Sequence, residues 1–175
     1  MRGPGQLSLQ ANEQSKVVLH LGAAIDSQSK GKDAQAAEEL EHALEAGFNH
    51  PALYFDLGLL RSTGDRQETA LRHLAHAVKH NDFNLAARLL MGQINQKMGR
   101  LQAASIEFLE ALKLADSAVV PAEHADEIRQ MYEPFIEAQA THTDEVALKR
   151  LCANINELIM RKNWRRSPIP RSTWL

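Results

Sequence analysis

Apolar residues recur along most of this chain at spacings of three and four, the period of one helix face, and the pattern then repeats itself at longer range. Between residues 85 and 118, Leu89, Leu90, Met91 and Ile94 mark one helix, Gly99 interrupts it, and Leu101, Ala104, Phe108, Ala111 and Leu112 mark a second. A shift of 34 residues places Ala36 on Ala70 and Ala104, Leu40 on Leu74 and Phe108, Ala43 on Ala77 and Ala111, and Leu44 on Val78 and Leu112. Upstream, the same register aligns Ala24, Gly58 and Gly92, and it sets Gly31 and Gly99 at a shared turn that Gly64 and Asp65 cover in the middle unit. The pattern predicts three helix hairpins, over 17–50, 51–84 and 85–118. Small residues stand where paired backbones approach, and a Leu or Phe column fills the space beside them.

The flanks read differently. Residues 1–16, with Gly3, Pro4 and Gly5 among polar neighbours, are expected to form a mobile N-terminal arm. After the third hairpin, residues 119–163 predict a capping helix pair. Pro121 opens the first helix, whose face is Ala125, Ile128, Tyr132 and Phe135/Ile136 and which Pro134 kinks or ends early. Thr143 is the expected N-cap of the second, with Leu148, Leu151, Ile155, Leu158 and Ile159 as its stripe. The tail, 164–175, holds Pro168 and Pro170 between Arg and Trp residues and is not a regular helix.

Composition sharpens this picture. Ala (25) and Leu (23) dominate a hydrophobic share of 44%, while aromatic residues make up only 5%, so helix formers are plentiful and sheet formers scarce. The chain reads as all-α. The longest apolar run, Val17 to Ile25, is interrupted by His20 and falls well short of the roughly 20 residues a membrane span needs. It also lacks the flanks of a signal peptide. The single Cys152 cannot form an intrachain disulfide, which suits a reducing, cytoplasmic setting with Cys152 as a small apolar residue. Charge is unevenly laid out. Five of the 20 Lys and Arg residues and none of the 22 acids lie in 161–175, leaving residues 1–160 at −7.

On these columns the chain resembles the tetratricopeptide repeat family, whose 34-residue unit carries a Leu-Gly pair, then Ala, then an aromatic or Leu, then Ala. Leu57-Gly58, Ala70, Leu74 and Ala77 carry the likeness in the middle unit, and Met91-Gly92, Gly99, Ala104, Phe108 and Ala111 in the third. The first unit is more degenerate, with Ala23-Ala24, Gly31, Ala36, Leu40 and Ala43. The family's first aromatic column holds His20, Tyr54 and Arg88, its second Ser27, Arg61 and Asn95, and its closing Pro column Phe48, Asp82 and Asp116. The resemblance implies a right-handed helical-repeat solenoid with C-terminal capping helices. It also implies that the first helices line a concave groove, where Leu21, Ile25, Phe55, Leu59, Leu89 and Gln93 would be the partner-binding residues. A groove of that composition is too apolar for the carboxylate clamp of chaperone-binding repeats, since only Lys97 resembles that equipment.

Catalytic signatures such as G-x-S-x-G, G-x-x-x-x-G-K-[ST], G-x-G-x-x-G, C-x-x-C and H-E-x-x-H are missing, and a non-enzymatic protein without cofactor is expected. His73, His76 and His80 could share one helix face, but with no Cys or carboxylate to complete a set they read as a solvated face rather than a metal site. Glu38, Glu39, Glu41 and Glu45 read as solubilising charges. The expected function is a protein-interaction adaptor that takes an apolar or amphipathic segment, with Phe55 as anchor. One alternative is a homodimer, or the chain's own ends, occluding the groove. The other is nucleic acid or an anionic surface held by the tail through Trp164, Trp174, Arg165, Arg166 and Arg171, which the acidic body disfavours.

Overall fold

The computed structural model describes the backbone of residues 4–161 and the side chains of residues 12–159, and all regular structure among them is helical. The tail at 164–175, with the nucleic-acid and docking roles expected of it, lies outside the described residues. The chain divides into two compact units, one ending at Ala77 and the other starting at Val78.

In the first unit α1 (Pro4–Ser29) packs on α2 (Asp33–Glu45), α3 (Pro51–Ser62) packs on α4 (Gln67–Ala77), and α2 also meets α3. In the second, α5 (Asn81–Lys97) pairs with α6 (Leu101–Ser117). A 3-10 turn (Ala122–His124) follows, then α7 (Ala125–Thr141) and α8 (Glu145–Arg161), both of which lie against α6. The first core joins Ala24, Ala37, Leu40, Leu53 and Leu57. The second joins Phe108, Leu109 and Leu112 of α6 to Cys152, Ile155 and Ile159 of α8. Cys152 is fully buried, donates its thiol to the Leu101 carbonyl, and has its pKa raised by burial.

The 34-residue columns acquire physical meaning at the hairpin crossings. Ala36, Ala70, Ala104, Ala43, Ala77 and Ala111 are all completely buried. A methyl group placed on Gly58 would come within 2.5 Å of the Leu74 side chain, and one on Gly92 within 2.6 Å of the Phe108 ring. Both distances lie far inside van der Waals contact. The absence of a Cβ in the first helix therefore makes room for the large residue of the second. Turns repeat as well. Gly31 and Gly99 sit at φ +68 and +73, the left-handed region that glycine enters without penalty. The residue after each donates its N–H back into the first helix, Lys32 to Ser27 and Arg100 to Asn95, at 2.9 and 2.8 Å. In all three hairpins the second helix opens with the same bond, Ala36 to Lys32, Ala70 to Arg66 and Ala104 to Arg100.

Several expectations change. The arm predicted to end at residue 16 is continuous with a helix beginning at Pro4, because residues 6–21 contain neither Gly nor Pro to stop it. Helix α7 continues past Pro134 to Thr141, and the missing Pro134 N–H takes the usual backbone donor from the Gln130 carbonyl. The N-cap of α8 is Asp144 rather than Thr143, since its carboxylate accepts from the Val146 and Ala147 N–H groups at 2.9 and 3.1 Å. On α8, Leu158 is exposed and Cys152 takes its place in the core. On α7, Phe135 faces out while Tyr132 and Ile136 pack inward. Glu39 and Glu41 are not free surface charges. Glu41 accepts a two-pronged bond from Arg61 of α3 at 3.1 and 2.7 Å, and Arg61 is only 5% exposed.

The crossings yield a contrast within one type of substitution. Gly58→Ala and Gly92→Ala should each destabilise their unit by about 1–3 kcal/mol through overpacking. Gly22→Ala on α1, where an added methyl meets nothing within 4 Å, should stabilise by about 0.5–1 kcal/mol through helix propensity alone. Urea midpoints of the three variants check this, and equal shifts of one sign would contradict it.

Candidate functional site

The six residues expected to line a groove are divided between the two units and differ in environment. In the first unit, Leu21 packs against the Leu40/Leu53/Leu57 core and Phe55 is half-buried. Ile25 is 67% and Leu59 46% exposed, and Val18, two helical turns before Ile25 on α1, is 71% exposed. In the second unit the corresponding residues of α5 are partly buried. Leu89 packs against the core built from α6 and α8, and Gln93 donates its side-chain amide to Asn156 of α8 at 3.5 Å. Leu89 and Gln93 are thus partly covered through these contacts, while Ile25 and Leu59 keep exposed apolar surface.

A concave site also forms at a place that no sequence pattern marks. Helices α6, α7 and α8 border an open cavity of about 540 Å³ whose walls include Leu109, Leu112, Met131, Phe135, Leu151 and Ile155. At this cavity Val119, Met131 and Phe135 remain 80%, 64% and 62% exposed. The polar pair in its wall is joined, because the Tyr132 hydroxyl donates a hydrogen bond to the Asp116 carboxylate. Burial and that carboxylate together raise the Tyr132 pKa, so the phenol stays protonated. Behind α7, Lys113 of α6 bridges Glu110 and Glu133 at 3.0 Å each; burial works against its charge, but the two carboxylates hold its pKa above the ordinary value. The stretch 122–141 carries five acids against the single Arg129, so the helix bounding the cavity is acidic.

The histidines also regroup. His80 lies beyond the end of α4, so the predicted face of His73, His76 and His80 does not form. His76 instead stacks on Tyr54, with ring centroids 4.7 Å apart, and His73 is tilted against the same ring at 6.2 Å. Burial lowers the His73 pKa. Among the described residues the metal-ligating types that converge are His20 of α1 and Glu39 and His42 of α2, whose ligand atoms lie within 4.8 Å of one another. The sequence signal that could have found them is a separation of 19 residues, which recurs as the contacts His20–Glu39, Tyr54–His73 and Arg88–Glu107.

Beside Phe55, burial raises the Asp56 carboxyl pKa to about 6, from an unperturbed 3.8. Between those values the folded protein holds a proton that the unfolded chain has lost, so stability falls as pH rises from about 4 to about 6 and stays lower above that. Asp56→Asn should therefore stabilise at pH 7 by on the order of 2 kcal/mol and give no gain at pH 3.5. Denaturant midpoints across pH measure this, and a gain independent of pH would refute it. Comparison with protein-family models, curated proteins and solved structures returned no match for the chain.

Proposed function

We propose that this protein is a non-enzymatic adaptor that docks an apolar or amphipathic protein segment, in keeping with the tetratricopeptide-like spacing of its hairpins. The observation that carries this reading is the apolar cavity between α6, α7 and α8, with Val119, Met131 and Phe135 left exposed around it. Concave apolar surface of this size is the usual form of a binding site, and large apolar side chains left in water are the usual mark of a missing partner. Its polar wall residues Tyr132 and Asp116 are hydrogen-bonded to each other, which fits recognition by shape and apolar burial rather than catalysis. The acids of α7 favour a segment with basic flanks.

Met131→Asp combined with Phe135→Asp changes two side chains that are mostly solvent-exposed, so the helical circular dichroism should persist while specific partners of the wild type fail to co-purify. Matching capture profiles would reject the cavity as the docking site.

A second reading keeps the docking surface on α1 and α3, favoured by the exposure of Ile25 and Leu59. Phe55→Asp with Leu59→Asp tests it in the same way. Sedimentation over a concentration range decides whether the occupant is a second copy, since a strict monomer excludes the dimer. Among the described residues no helix is long and apolar enough to cross a membrane.

A further inference from the structure

Each hairpin has the same corner, made by one position on its first helix and two on its second, and the 34-residue register fills it in three ways. In the third hairpin it holds Arg88, Glu107 and Glu110, where Arg88 bonds Glu107 at 2.8 Å and Glu110 bonds Lys113. In the second it holds Tyr54, His73 and His76, a cluster of stacked rings. In the first it holds His20, Glu39 and His42. Here His20 Nδ1 lies 2.8 Å from Glu39 Oε2, and the two imidazole rings are tilted at 52° with centroids 5.1 Å apart. The first two fillings are held by charge pairing and by ring contact, respectively. The remaining one brings two imidazoles and a carboxylate together, a donor set that suits first-row divalent ions.

We propose that His20, Glu39 and His42 bind one divalent transition-metal ion of the Zn²⁺ type, with the fourth coordination position left to water or a partner's side chain. Glu39 and His42 are three apart on α2 and so share a face, and His20 reaches them from the neighbouring helix. Ligand atoms of a tetrahedral Zn²⁺ site stand about 3.3–3.6 Å apart, given bonds of about 2.0–2.2 Å. A trio already within 4.8 Å therefore closes onto the ion by side-chain rotation. The supporting backbones are fixed by the same packing as the hairpin, since Ala24, one turn after His20, and Leu40, next to Glu39, are both buried in the first core. All three ligands remain partly or largely accessible, so the ion has an entry path. Two nitrogen donors select against Ca²⁺ and Mg²⁺, which take oxygen sets.

The test is calorimetric titration of Zn²⁺ into the chelator-treated full chain, with thermal unfolding followed in parallel. Wild type and a His73→Gln/His76→Gln control should bind one equivalent with a dissociation constant at least about tenfold tighter than His42→Gln or Glu39→Gln. Glu39→Gln matters because its amide can still hydrogen-bond His20, which preserves the corner while removing the anionic ligand. Zn²⁺ should raise the unfolding midpoint of the wild type and the control only. The proposal is overturned if wild type binds less than about tenfold tighter than those two variants, including the case where none binds, or if the control loses binding as they do.

Discussion

The closest constraint in this protein is the distance between two helix backbones at the middle of each hairpin. Gly58 and Gly92 leave no Cβ in the first helix, and Leu74 and Phe108 occupy the space where one would be. The alanine columns on the second helices are fully buried around this point, so each hairpin closes at a separation that only small residues allow. A glycine inside a helix costs about 1 kcal/mol against alanine. The large side chain buried over it returns about 2 kcal/mol or more, so the local loss is outweighed by packing. Everything that each hairpin displays, including the polar corner and the exposed faces, is positioned by this crossing.

Polar residues that would be expected on a surface take structural roles as a result. Ser27, Arg61 and Asn95 occupy one column near the end of the first helix, and all three are buried. The Ser27 and Asn95 carbonyls accept the N–H that closes the glycine turn, while the Arg61 side chain reaches Glu41 on the preceding hairpin. Replacing Glu41 would leave a guanidinium that is nearly out of water without its counter-charge, the situation in which a buried pair is costly to break. Burial of this pair binds α3 to α2 with directional bonds that the apolar core alone does not supply.

The C-terminal helices do more than close an end. Helix α8 contributes Cys152, Ile155 and Ile159 to the second core and meets Gln93 through Asn156. Helix α7 contacts α6 through fewer buried residues, since Ala125 is its only buried position, and Gln102 of α6 donates to the Ala140 and His142 carbonyls at its C-terminus. An α7 held by Tyr132, Ile136 and its two ends leaves Met131 and Phe135 outward, and the cavity follows from that incomplete closure. Apolar surface is thus exposed at the mouth between α6, α7 and α8, while Leu89 on α5 packs against the core.

The sequence by itself determined the helical class, the hairpin register and the residues at each crossing, because a repeated contact between neighbouring helices imposes its spacing on the chain. It also marked Phe108, Leu74 and the alanine columns as core, through a local periodicity that burial on one face requires. What only the tertiary structure decided is which side chains meet across helices that are distant in sequence. Pairing of Arg61 with Glu41, coverage of Leu89 and Gln93 by the C-terminal helices, and convergence of His20 with Glu39 and His42 all depend on the rotation of one helix about its axis relative to another. Periodicity reports that a helix has an apolar face; it does not say what that face will touch. The docking of α7 and α8 therefore stayed illegible in the residues that form the cavity, and the folded arrangement alone set it.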